Sequence, residues 1–139
     1  MKHIHFDTES DGYYGAYWEC RGGSDCTVIA MLGDDPEDHM ARSAVKWLHH
    51  LGVNVLTMSP AKKDYSHHNY PLECIEKAIA WLKSHGSAKI GIAGASTTGT
   101  LALTAASIFD DISLTVAMTP SDFVWQGFMQ GKKDGCKEW

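Results

Sequence analysis

The most constraining feature of this chain is a recurring pattern. From residue 26 to residue 118, short apolar runs alternate with segments of helical periodicity. Residues 26–32 (Cys-Thr-Val-Ile-Ala-Met-Leu) form a continuous apolar run closed by Gly33-Asp34-Asp35-Pro36. Such a run, bounded by turn residues, reads as a strand buried on both faces of a parallel sheet. Asp35 suits a helix N-cap, Pro36 the first helical position, and Glu37 and Asp38 the positive end of the helix dipole. Met40, Ala44, Trp47, Leu48 and Leu51 then fall on one helical face, and Gly52 closes it.

The unit repeats twice more. Residues 53–58 read as a strand and residues 59–69 as a polar loop. Residues 71–85 read as a helix burying Ile75, Ala78, Ile79 and Leu82. Residues 88–93 are the next strand, residues 97–109 a helix facing the sheet with Leu101, Ala105 and Ile108, and residues 113–118 a last strand. Before this series, residues 2–9 and 13–20 read as two antiparallel strands around the turn signal Asp11-Gly12. Alternation of this kind requires right-handed crossovers and a mostly parallel sheet with helices on its faces, a three-layer α/β/α sandwich. At 139 residues the chain suits one domain, and residues 127–139 show no clear period.

Composition narrows the function classes. Twelve basic and seventeen acidic residues leave a formal net charge of −5, which offers nucleic acid or anionic lipid no general attraction. No apolar run approaches the ~20 residues of a bilayer span, and the start has no apolar stretch of signal-peptide length. Cys20, Cys26, Cys74 and Cys136 form no C-x-x-C pair and do not cluster with histidine at zinc spacing. Free thiols in a cytoplasmic chain are the expectation.

Ligands of open parallel sheets bind at the carboxyl ends of the strands. The loop Gly94-Ala95-Ser96-Thr97-Thr98-Gly99 leaves one such end and runs straight into a helix. That is the setting of a nucleophile elbow, in which a serine is thrust out of a cramped strand-to-helix turn among small neighbours. A G-x-S-x-G pattern would place glycine at residue 98, where this chain has Thr98, with Gly99 one further on. Two other readings stand beside it. Gly94-x-Ser96-x-x-Gly99 is a dinucleotide fingerprint with serine at its middle glycine, where a side chain obstructs pyrophosphate, and a small-residue turn can serve packing alone.

The two leading strands, the β-α series and a serine after the fifth strand follow the order of the α/β-hydrolase fold. The helix Pro71-Leu72-Glu73-Cys74-Ile75-Glu76-Lys77-Ala78-Ile79-Ala80-Trp81-Leu82-Lys83-Ser84-His85 and the stretch Ile90-Gly91-Ile92-Ala93-Gly94-Ala95-Ser96 resemble one family in particular. It is the acyl-CoA thioesterase / bile acid-CoA:amino acid N-acyltransferase C-terminal domain, within the dienelactone-hydrolase-like group. The resemblance covers roughly residues 26–118. It implies that Ser96 is the nucleophile, that the Thr97 backbone N–H lies in the oxyanion hole, and that an acyl group is hydrolysed or transferred without metal or organic cofactor. A second oxyanion donor is expected from the Gly33-Asp34-Asp35 loop, namely Asp34 N–H. The expected substrate is a small neutral ester or thioester as readily as an acyl-CoA, because Asp34, Asp35, Glu37 and Asp38 on one rim repel phosphates and Lys62-Lys63 offset them only in part.

The family carries an acid after a seventh strand and a histidine after an eighth, and this chain shows six strand-like runs. The expectation is an α/β-hydrolase sheet truncated after its sixth strand, weak or inactive because a serine without a base is a poor nucleophile. The competing reading is a non-catalytic pseudo-hydrolase that binds a ligand or partner. Asp122, after the last strand, and His67 and His68, in the loop after residues 53–58, are the local candidates for acid and base. His3 and His5 share a strand face, His49-His50 suit a helix C-terminus, and His39 and His85 read as helix-end residues. Trp47 and Trp81 read as core anchors. An unpaired edge along residues 113–118 is expected to pair with another copy as a homo-oligomer or to be covered by the tail.

Overall fold

The computed structural model describes residues 3–60 and 70–124. Within them the chain runs β1 (His3–Phe6), β2 (Gly15–Trp18), β3 (Cys26–Met31), α1 (His39–His50), β4 (Asn54–Met58), α2 (Glu73–Ser84), β5 (Lys89–Ala95), α3 (Thr97–Ile108) and β6 (Ile112–Met118). The strands form one sheet in the order β1-β2-β4-β3-β5-β6. β1 pairs antiparallel with β2, and β2 antiparallel with β4. The pairs β3–β4, β3–β5 and β5–β6 are parallel. The parallel series thus starts at β3, one of the two central strands, crosses to β4, and returns past β3 to build outward through β5 and β6.

Alternate strand residues face opposite helical layers, as the period of two requires. Ile29, Met31, Leu56, Met58, Ile90 and Ile92 pack with Ile75, Ala78, Ile79 and Leu82 of α2 and with Ala102 and Ala105 of α3. Ala16, Trp18, Ala30 and Val55 pack with Ala44, Val45 and Leu48 of α1. One helix therefore covers one face and two cover the other, which is the expected α/β/α layering.

α2 buries the four residues its periodicity picks out. α1 does not. Its buried residues are Ala41, Ala44, Val45 and Leu48, while Met40, Trp47 and Leu51 are 50%, 58% and 63% exposed. Trp47 is not a core anchor. The sheet beneath α1 presents small side chains, Ala16 and Ala30 among them, and the helix settles onto them with its own small residues. The apolar stripe is wide enough to allow that rotation. Trp81 is half-buried and does anchor, with its ring 4.7 Å from Phe6 and 5.1 Å from Tyr17. α3 mixes small, apolar and weakly polar hydroxyl residues on every side, so periodicity selects no face. It packs through Gly99, Ala102 and Ala105 and leaves Ile108 56% exposed.

The start of α1 also differs from the expectation. The N-cap is Asp38, whose Oδ1 accepts from Ala41 N at 2.8 Å. Asp35 instead closes a turn before the helix, its Oδ1 accepting from Glu37 N and its carbonyl from Asp38 N. Beyond β5, β6 has no further strand partner among the described residues. Leu114, Val116 and Met118 project from it, on the face that α1 occupies elsewhere, and are 60%, 38% and 44% exposed. Residues 125–139, and with them the expected tail cover, lie outside the described residues. No helix among the described residues is long and apolar enough to cross a membrane, and Cys20, Cys26 and Cys74 are free thiols.

Candidate active site

The turn between β5 and α3 is dictated by close approach of two backbones. A Cβ on Gly94 would sit 2.1 Å from Thr98 O and 2.9 Å from Gly99 N, and a Cβ on Gly99 would sit 3.0 Å from Met118 O. Only glycine fits at residue 94, because the first turn of the helix folds back directly onto the strand. The chain can make this reversal only if residue 96 takes an unusual conformation. Ser96 has φ 54° and ψ −120°, a region that costs a non-glycine residue of order 1–3 kcal/mol. The strain is held from both sides. Ser96 N donates to Met118 O at 2.9 Å, and Ser96 O accepts from Thr100 N at 3.1 Å. The side chain is left exposed at the carboxyl end of the sheet.

Thr98, where the sequence pattern would want glycine, is part of the device. It is 5% exposed. Its Oγ1 donates to Met31 O at 2.6 Å, shares that proton with Ala95 O at 2.9 Å, and accepts from Ala95 N at 3.0 Å. One hydroxyl thus ties the turn to the end of β3. Its β-branched side chain finds room in that gap, so the departure from G-x-S-x-G leaves the elbow intact.

The end of β3 carries the second wall of the site. Gly33, with φ 102°, lies so close to the Asp38 carboxylate that a Cβ would sit 2.4 Å from it. That carboxylate gathers the loop. Oδ2 accepts from Asp34 N at 3.0 Å and Asp35 N at 3.3 Å, and Oδ1 caps α1. Partial burial works to raise the Asp38 pKa, but the N–H groups of Ala41, Asp35, Asp34 and Met40 outweigh it and hold the group below its ordinary 3.8. The loop is pinned further by Tyr14 OH donating to Asp35 Oδ2 at 2.7 Å, Ser59 Oγ to Asp34 O at 2.7 Å, and Thr57 Oγ1 to Pro36 O at 2.6 Å. The Tyr14 phenol is pushed up to about 12, by burial first and by Asp35 second, so it remains a donor.

This geometry corrects one expectation. The Asp34 N–H is directed to Asp38 rather than presented to an oxyanion. The reason is the shifted N-cap, which brings a carboxylate under the loop. Thr97 sits as expected in the first turn of α3, next to Ser96, where N–H groups point out of the helix end. Asp122 is exposed in the bend after β6, and no hydrogen bond or ion pair joins it to Ser96. Among the described residues no histidine reaches the Ser96 hydroxyl. His3 and His5 both turn to Glu37, the latter at 3.4 Å. His49 faces Trp18 O and His50 faces Lys46 O, while His85 stacks on Trp81 at 3.7 Å. His67, His68, Lys62 and Lys63 lie outside the described residues. The acidic rim is less bare than its sequence implies, since Asp35 is engaged by Tyr14 and Glu37 by the two histidines.

Sequence reasoning missed the Asp38 hub and the Thr98 clamp. Both are ordinary residues until the fold sets them beside backbone N–H groups from other segments. The only signal for Asp38 was its place three residues before Ala41, one of several capping options in an acid-rich stretch.

Residues 70–137 match the family model described as BAAT / Acyl-CoA thioester hydrolase C terminal. That span takes in α2 and the elbow, two of the segments that carry the sequence resemblance. Among solved structures, Est1E from Butyrivibrio proteoclasticus superposes with a TM-score of 0.65 at 19% identity, over 86% of this chain and 51% of that one. The Pyrococcus furiosus esterase PF2001 superposes with a TM-score of 0.63 at 25% identity, over 86% of this chain and 48% of that one. The chain spans about half the length of these esterases. No curated protein matches it. The fold is the esterase-type α/β fold, and the chain resembles the thioester hydrolase family read from its sequence.

Proposed function

We propose that the chain is a serine-dependent acyl hydrolase acting on an ester or thioester, with Ser96 as nucleophile. The observation that carries this reading is the exposed hydroxyl of Ser96 on a strained turn between β5 and α3. Packing alone does not call for it, because glycine would make the same turn without strain. A dinucleotide loop is disfavoured by the same side chain, which stands where a pyrophosphate would have to approach the backbone.

In the mechanism, Ser96 Oγ attacks the carbonyl carbon and its proton passes to a base. The tetrahedral oxyanion is held by Thr97 N–H and by the positive end of α3. Collapse breaks the bond to the alcohol or thiol, which leaves with the proton, and water then releases the acid from Ser96. No described histidine serves as the base, so turnover by this chain is expected to be slow. Acyl-CoA falls within the reading because the matched family includes acyl-CoA thioester hydrolases. A small neutral ester fits the acidic rim at least as well. We also propose a cytoplasmic setting, which suits the free thiols.

The test is hydrolysis of p-nitrophenyl acetate by the wild type and by Ser96→Ala. Turnover that Ser96→Ala reduces to background supports the enzyme. Equal rates favour the pseudo-hydrolase, a reading that the lack of a described histidine beside Ser96 keeps in play.

A further inference from the structure

Beside the 33–38 loop lies a cavity of about 250 Å³, walled by Tyr13, Tyr14, Ser59, Tyr70, Pro71 and Cys74. These residues come from the turn before β2, the end of β4 and the approach to α2. The cavity adjoins the candidate active site through its own walls. Tyr14 is hydrogen-bonded to Asp35 and Ser59 to Asp34 O, so the loop that borders Ser96 is also the partition of this space. Its walls are mostly rings and aliphatic carbon.

Two polar atoms in these walls are unaccounted for. The hydroxyls of Tyr13 and Tyr70 are buried and reach no oxygen or nitrogen acceptor among the described residues, and the Tyr70 phenol has only the Cys74 thiol, a weak acceptor, beside it. Tyr13 is 2% exposed. Burial holds both phenols above their ordinary pKa, so both remain donors at any working pH. Buried donors without a good acceptor are costly and rare in native proteins, and two of them lining one apolar recess point to an occupant that brings one.

Size and distance limit that occupant. At about 30 Å³ for a water-sized group, the cavity holds about eight non-hydrogen atoms, too few for a whole coenzyme A ester and enough for one arm of a substrate. β4 lies two strands from β5, about 10 Å at about 4.8 Å per strand. An extended chain advances about 1.2 Å per bond, so an acetyl group on Ser96 falls short and an arm of about eight bonds arrives. Among the described residues the cavity wall includes no Lys or Arg, and acids stand nearby, so a neutral end suits it best.

We infer that this cavity is the specificity pocket for a neutral, medium-length aliphatic arm of the substrate that carries a ketone or ether oxygen near its far end, received by Tyr13 and Tyr70. This deepens the acyl-hydrolase reading and rests on it. The arm lies along Pro71 and Cys74, and its oxygen accepts from one or both phenols.

The experiment separates the pocket from the reaction. 2-Octanone, which has nine non-hydrogen atoms and a ketone near one end, is titrated into the wild type and into Ser96→Ala while amide resonances are followed. Saturable shifts at residues 13, 14, 59, 70 and 74 are expected in both proteins. Tyr13→Phe with Tyr70→Phe removes only two hydroxyls without a good acceptor, so the fold is expected to keep its thermal midpoint while affinity falls by about fivefold or more. Cys74→Trp fills the space and is expected to abolish the shifts. In turnover, the preference for p-nitrophenyl octanoate over acetate is expected to fall by about tenfold in Cys74→Trp. The inference is overturned by non-saturable shifts or by an affinity indifferent to the two phenols. Saturable binding without Ser96-dependent turnover would instead retire the hydrolase reading and leave the pocket standing.

Discussion

Two walls meet at the candidate site, and they are held by different physics. The elbow at residues 94–99 is fixed by sterics. Gly94 admits no Cβ, and Ser96 is forced to positive φ by backbone bonds on either side. The 33–38 loop is fixed by charge, since the single Asp38 carboxylate accepts from Asp34, Asp35 and Ala41. The difference teaches which parts of the site respond to conditions. Backbone crowding does not titrate, whereas a carboxylate hub does. The proposed nucleophile is therefore mounted on the insensitive wall, and its neighbour is mounted on the sensitive one.

The comparison can be broken first at Gly94. Gly94→Ala puts a Cβ 2.1 Å from a backbone oxygen, which no rotamer relieves. A loss of about 3 kcal/mol or more is expected in denaturant unfolding, together with any Ser96-dependent activity. A smaller loss would mean that the elbow yields and is not held by contact alone.

Asp38→Ala tests the other wall. It removes a helix cap and the acceptor for two loop N–H groups, and a loss of about 1–2 kcal/mol is expected. The pH dependence follows from the sign of the shift. The folded pKa lies below 3.8, so the contribution is in place above about pH 4 and is lost as pH falls through the folded value. Stability measured from pH 6 down to pH 2 should fall more steeply in the wild type than in Asp38→Ala. Parallel curves would show that the loop does not depend on this charge.

The smallest expected change has the opposite sign. Ser96→Gly relieves the positive φ at a residue held in place by its neighbours, and a gain of about 1 kcal/mol is expected, offset in part by the greater freedom of glycine in the unfolded chain. Ser96→Ala keeps the strain and should not show the gain. If the two variants have equal thermal midpoints, the turn is not strained in solution.

Legibility in the sequence followed the physics of each element. The α2 stripe could be read because its polar face is clearly polar, leaving one way to dock. In α1 the apolar positions span a wide arc, and the small sheet residues beneath it decided that Ala41 and Val45, rather than Met40 and Trp47, face inward. The elbow was visible as small residues between a buried strand and a helix. Thr98 read as a flaw because its acceptor, Met31 O, lies 67 residues away in sequence. The pocket left no trace, since its three tyrosines come from two segments that no local pattern connects.

The order of runs and helices determined the layered sheet, and the cramped Gly94-Ala95-Ser96 bend determined where an exposed hydroxyl emerges. Both are local properties, set by side-chain period and backbone sterics within a few residues. Tertiary structure decided which flank of α1 is buried, which of several acids caps it, where the Asp34 N–H points and which rings enclose the cavity. Those outcomes depend on groups brought together from distant segments, where small differences in packing and hydrogen bonding choose between arrangements that the local chain leaves open.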